Sequence, residues 1–380
     1  MRRYAVMTPK VAAFLESSAL STPCLVLDLD RVAENYAALR AALPVAKIYY
    51  AVKANPAAAI LRLLAGMGSC FDAASLPEIE QCLAAGAAAS DLSFGNTVKK
   101  PSAIAAAHGY GVPLFAFDSI EELQKIAAHA PGAKVYCRIA VNNVGADWPL
   151  SKKFGTTLAR AKQLMLEAPR LGLSPHGLSF HVGSQQTGTA AYEMAIAEVA
   201  MLFTDLKAQG LELKMLNLGG GFPVRYRDDV PETDVFGNAI MDAMVKAFGN
   251  DLPDMLIEPG RAMVGDAGVV ASEVVLVCRR MEEDARRWVY LDIGRYGGLA
   301  ETEGEAIRYR ISGGNGPMGP VVIAGPSCDG VDVLYEKTPY RLPLDLRAGE
   351  RVLIHDAGAY VTSYASQNFN GFAPLEEHYV

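Results

Sequence analysis

Tyr49-Tyr50-Ala51-Val52-Lys53-Ala54-Asn55-Pro56 is a bulky apolar run that ends in one lysine and then a turn signal from Asn55 and Pro56. It predicts a buried strand with Lys53 at its exit. An ammonium in that place must be paired, neutralised or used, because an isolated buried charge is too unfavourable to leave. Taken alone, such a lysine is more often a snorkelling or salt-bridged side chain than a reactive one.

Working outward, short apolar stretches alternate with Ala-rich amphipathic segments of helical length from residue 47 to about 258, which implies parallel strands joined by helical crossovers. Eight stretches read as strands: 48–53, 70–73, 92–94, 114–118, 135–141, 177–182, 215–218 and 256–258. Eight can close a (β/α)8 barrel, in which chemistry gathers at the carboxyl ends of the strands. Lys53, Asp72, Arg138, His181, the Gly219-Gly220-Gly221 run and Glu258 fall at those ends. A doubly wound sheet would place ligands similarly, so the strand count carries the choice. After Glu258 the pattern changes to short β-branched runs at 269–277, 288–293, 321–323, 331–334 and 351–354, punctuated by Gly, Pro and Asp. The expected architecture is a barrel domain over 23–260 and an antiparallel β domain over 261–380, with residues 1–22, which carry a helical pattern, packed on the latter.

The chain has 380 residues, 51% hydrophobic and 20% charged, enough for a large core and two domains. Its formal charge of −7 argues against nucleic acid or an anionic membrane as the main partner and favours a small-molecule substrate. No apolar run approaches a bilayer span, and Pro9, Lys10 and Glu16 interrupt any secretory core after Met1-Arg2-Arg3, so a cytoplasmic protein is expected. The six cysteines form no C-x-x-C pair, the histidines show no H-E-x-x-H spacing, and there is no G-x-x-x-x-G-K run, so metal and nucleotide-triphosphate chemistry are not expected. The triple glycine precedes Phe222-Pro223, and the proline stops the helix that a dinucleotide fingerprint needs; a phosphate cradle of backbone N–H groups remains open, beside the plain reading of a tight turn.

Several separated motifs in order carry a resemblance along nearly the whole chain. They are the octapeptide around Lys53, Phe71-Asp72-Ala73-Ala74-Ser75 with Glu78, Arg138, His181-Val182-Gly183-Ser184, Gly219-Gly220-Gly221-Phe222-Pro223, Glu258-Pro259-Gly260-Arg261, Cys328-Asp329-Gly330 and Gly358-Ala359-Tyr360. Together they resemble the fold-type III pyridoxal phosphate decarboxylases, the ornithine, lysine and diaminopimelate decarboxylases of alanine racemase-like fold. The resemblance implies Lys53 as the Schiff-base lysine, His181 against the face of the cofactor ring, and Glu258 at its ring nitrogen. Asp72, Arg138, Ser184, Gly220, Gly221, Gly260, Arg261 and Tyr360 would complete the cofactor site. Alanine racemases of the same fold hold the ring nitrogen with arginine, so Glu258 speaks for decarboxylation. Cys328, in a loop, would return a proton to the substrate carbon. Asp329, with Glu305 and Tyr296 by counting through a divergent stretch, would meet the distal ammonium of a basic amino acid.

The leading expectation is decarboxylation of L-ornithine to putrescine and CO2, with L-lysine to cadaverine as a second substrate, by a homodimer with shared active sites. Diaminopimelate or carboxynorspermidine decarboxylation, racemisation, and a non-catalytic cofactor-binding homologue are the competing readings.

Overall fold

The computed structural model describes residues 7–148 and 153–380. They fall into two compact units, one made of Ala33–Pro223 and Val230–Gly260, the other of the described residues up to Val32, Val224–Asp229 and Arg261–Val380.

The first unit contains a closed barrel of eight parallel strands: Ala46–Ala51, Cys70–Ala73, Leu92–Phe94, Leu114–Phe117, Lys134–Arg138, Ser174–Ser179, Met215–Asn217 and Asp254–Ile257. Each pairs with the next in chain order, and the last closes on the first through Met255 with Ala46 and Ile257 with Ile48. The strands are buried runs because helices cover the outside while Tyr49, Leu114, Ala116, Tyr136, Met215 and Leu256 pack together as one buried cluster. The crossover helices start where the sequence supplies caps: the Ser75, Ser119 and Thr157 hydroxyls accept from the backbone N–H groups of Glu78, Glu122 and Arg160.

The second unit is built on a sheet in the order Ile311–Gly313, Arg351–Ile354, Gly268–Cys278, Arg287–Leu291, Met318–Ala324, Val333–Pro343. The sequence predicts an all-antiparallel domain here; the sheet is mixed, because Arg287–Leu291 runs parallel to Met318–Ala324. The connection between those two strands spans 292–317 and includes a short 3-10 segment, Ala300–Glu305, which is long enough to return the chain in the same direction. Strand Cys24–Leu27, expected to open the barrel domain, joins this sheet instead. It pairs antiparallel with Gly268–Cys278 and parallel with Glu376–Tyr379, so it is flanked on both sides and wholly buried. A four-residue apolar strand carries no pattern that tells which sheet will accept it. Helix Pro9–Ser17 places Val11 and Leu15 in one cluster with Cys24, Val26, Val269 and Ala271. Among the described residues no helix is long and apolar enough to cross a membrane.

Candidate active site

The strand before Lys53 ends at Ala51, two residues earlier than the sequence predicts, and Lys53 stands on a single 3-10 turn, Val52–Ala54. Asn55 and Pro56 force the early exit: the Asn55 side chain accepts from the Ala57 N–H at 3.1 Å and the Tyr50 hydroxyl donates to the Asn55 carbonyl at 2.9 Å. The turn holds Val52 and Ala54 at 0% and 1% exposure while the Lys53 side chain is exposed.

Around it stand the other residues expected at the barrel mouth. Asp72 is buried, and its carboxyl is held well above the usual range by burial first, then by Glu258, with Lys53 and Arg138 opposing and Glu78 adding. Its Oδ1 has no hydrogen-bond partner. Gly95 explains the fit of that carboxyl: a Cβ there would meet Asp72 Oδ1 at 1.8 Å. Glu78 accepts from the Ala74 N–H at 2.6 Å, and burial raises its carboxyl, against that bond and the Lys53 charge. Arg138 lies over the Phe154 ring, 5.3 Å from its centroid. His181 is pushed well below its ordinary value by burial, then by Arg138 and Lys53. Its Nδ1 accepts from the Gly183 N–H at 3.0 Å, so the neutral ring carries its proton on Nε2.

The glycine run passes close beneath these groups. A Cβ on Gly219 would meet the Phe180 carbonyl at 2.2 Å, and one on Gly220 the Glu258 carbonyl at 2.5 Å. Gly219 also sits at φ +68°. Ser184 begins the short strand Ser184–Gln186, which pairs with Ala146–Trp148.

Asn217 escaped the sequence reading. Its Nδ2 donates to Glu258 Oε1 in a short hydrogen bond, and its Oδ1 accepts from the Gly219 N–H at 2.9 Å. A lone asparagine ahead of a glycine run looks like a turn former, so nothing in the sequence marked it.

The second unit holds the remaining candidates. Cys328 is exposed and its N–H donates to Asn370 Oδ1 at 2.9 Å. Asp329 accepts from the Tyr296 hydroxyl at 2.9 Å and from the Val331 N–H at 3.0 Å; these two bonds, the backbone one foremost, lower its pKa. Tyr296 stacks on Phe369 with ring centroids 4.1 Å apart, a neighbour the sequence reading also missed. Arg261 is buried and bidentate to Glu301 at 2.6 and 2.9 Å, with the Tyr226 hydroxyl at 2.7 Å. Tyr360, at φ +61°, lies with its ring centroid 4.9 Å from the Arg261 guanidinium carbon.

Glu305, expected at the distal ammonium of a substrate, has its carboxylate turned to the chain's own backbone. Its carboxylate accepts from the backbone N–H groups of Glu336, Lys337 and Thr338 at 2.8, 2.7 and 2.5 Å. Burial works to raise its pKa, and the bonds from Thr338, Lys337 and Glu336 outweigh it and hold the group below the usual range. The cause of that orientation is local: Gly304, at φ +60°, turns the chain just before Glu305.

The barrel-mouth residues fit a phosphorylated aldehyde cofactor. They offer an accessible amine, a neutral imidazole, a glycine cradle a side chain would fill, and a buried carboxyl oxygen still lacking a donor. Residues 29–265 match the family model described as pyridoxal-dependent decarboxylase, pyridoxal binding domain. The lysine/ornithine decarboxylase of Selenomonas ruminantium is 40% identical over 356 residues, 93% of this chain and 88% of that protein. Two solved structures match nearly the full length of this chain. SrLDC in complex with PLP and cadaverine has TM-score 0.88 at 36% identity, covering 99% of this chain and 94% of that one. The lysine/ornithine decarboxylase of Vibrio vulnificus complexed with putrescine has TM-score 0.87 at 30% identity, covering 98% and 99%. This chain therefore belongs to the fold-type III pyridoxal-dependent decarboxylases.

Proposed function

We propose that the protein removes the α-carboxyl group of a basic L-amino acid, with L-ornithine and L-lysine as its substrates, and that the residues above divide the work. It is a pyridoxal phosphate-dependent amino-acid decarboxylase. The observation that carries the assignment of roles is the gathering of Lys53, Asp72, Arg138, His181 and Glu258 at one end of a closed parallel barrel, close enough that Asp72 feels Glu258, Lys53 and Arg138.

Pyridoxal phosphate, when bound, supplies the electron sink for the pair left behind by the departing carboxylate. Lys53 provides the amine to which its aldehyde is joined. His181, neutral and with its tautomer set by Gly183, offers a flat apolar face without bringing a competing positive charge. Glu258 would accept a hydrogen bond from the N–H of the cofactor ring, and a carboxylate there would favour the protonated form of that base. The N–H groups of the Gly219–Gly221 run, with Ser184, suit a phosphate. Cys328, exposed in its loop, would supply the thiol proton that replaces CO2 on the substrate carbon. Asp329, oriented by Tyr296, pairs with the distal ammonium.

Homodimers with shared sites, expected from the resemblance, belong to the same reading, as does a cytoplasmic location. The decisive assay is CO2 release from ornithine, lysine, arginine and diaminopimelate with pyridoxal phosphate added. Release from ornithine and lysine is expected. Release from diaminopimelate alone, or from none of the four, would contradict the substrate class.

A further inference from the structure

Two carboxyl groups share the barrel mouth, and the structure treats them differently. Asp72 Oδ1 has no hydrogen-bond donor, whereas Glu258 Oε1 receives one from Asn217. Asn217 is the last residue of strand Met215–Asn217 and is 1% exposed. Its orientation is not free. The Gly219 N–H can only donate, so it must meet the carboxamide oxygen, and the NH2 group is thereby turned toward Glu258. Gly219 closes the circuit, because its carbonyl accepts from the Glu258 backbone N–H at 2.8 Å. Three bonds thus join Asn217, Gly219 and Glu258 and hold Glu258 by both backbone and side chain.

We propose that Asn217 is a positioning residue that fixes the Glu258 carboxylate as an acceptor toward the cofactor ring nitrogen. The inference rests on the reading that pyridoxal phosphate binds here with its ring nitrogen at Glu258. A carboxamide NH2 that donates to a carboxylate oxygen fixes where that carboxylate points. The same carboxamide ties the carboxylate to the first glycine of the cradle, so two contacts to one ligand are set in register by one buried side chain.

The test compares binding of pyridoxal phosphate with its 1-deaza analogue, in which a C–H replaces the ring nitrogen, to wild type, Asn217→Leu and Asn217→Asp. Wild type should prefer the natural cofactor, and Asn217→Leu should shrink that preference by about tenfold or more, as expected for losing a hydrogen bond to a charged group. Asn217→Asp keeps an acceptor for Gly219 but sets a second carboxyl group against Glu258 in place of the donor, so it should shrink the preference as well, and it gives a second variant where the leucine one fails to fold. Equal losses for both cofactors, or an unchanged preference in the variants, would overturn the proposal and leave Asn217 a structural residue. A wild type that binds both cofactors equally would instead overturn the placement of Glu258. A wild type that binds neither would overturn the cofactor reading itself.

Discussion

Lys53 and Lys99 both follow a barrel strand, and the structure puts them in opposite situations. Lys53 is exposed on its turn among groups whose electrostatics it shifts, Asp72, Glu78 and His181. The Lys99 side chain is 0% exposed, donates to the carbonyls of Asn96 and Ala116 at 2.7 and 2.6 Å, and pairs with Glu122 at 3.0 Å. Burial lowers the Lys99 pKa to about 8, against the pull of Glu122. A search for perturbed lysines would choose Lys99 as reactive. The comparison shows why it should not: the Lys99 ammonium is held by two carbonyls and a carboxylate and no substrate can approach it, whereas a functional group needs access. Glu122 repeats the lesson. It occupies the third helical position after the Ser119 cap, where a glutamate would reach back to the cap, but its carboxylate goes to Lys99 and Lys125.

The largest expected effect separates the two directly. Lys53→Ala should lower kcat by about a thousandfold or more with unfolding unchanged, since it removes the group that holds the cofactor. Lys99→Met should do the reverse, retaining turnover per folded molecule while losing about 1 to 3 kcal/mol of stability, because Glu122 loses one of its two cationic partners and keeps Lys125. Unfolding curves and turnover on both variants decide it. If Lys99→Met loses turnover without losing stability, the comparison is reversed.

A smaller effect extends the contrast to the two acids of the second unit. Asp329→Ala should raise KM for ornithine and lysine by about tenfold or more, as for a lost hydrogen bond to a charged group. Glu305→Gln should leave KM near wild type and instead loosen the Glu336–Thr338 backbone, seen as faster amide exchange there. A KM change confined to Glu305→Gln would return that residue to the substrate.

The smallest effect lies in pH. Lys99 is protonated in both states below about pH 8, while between about 8 and 10.4 the unfolded chain binds more protons than the folded one, so its contribution to stability rises with pH across that window. The stability difference between wild type and Lys99→Met should therefore widen by about 1 to 3 kcal/mol from pH 8 to pH 10. A flat difference would mean that Lys99 is not buried as described.

Much of the barrel and its mouth could be read from the chain, because a polar residue closing an apolar run is a local signal. Lys53, Asp72, Arg138, His181 and Glu258 all carry it. What was not legible depends on contacts distant in sequence. Cys24–Leu27 chooses its sheet through Gly268–Cys278 and Glu376–Tyr379, and no property of four apolar residues encodes that choice. Asn217 acquires meaning only when Glu258 is brought beside it. Glu305 lay near the counted position, but a left-handed turn at Gly304 and three backbone donors claimed it.

The most direct test of the account is borohydride reduction of the pyridoxal phosphate-loaded protein followed by peptide mapping. The account predicts a stable label on Lys53 and none on Lys99. A label on Lys99, or on any other lysine with Lys53 unmodified, would contradict it.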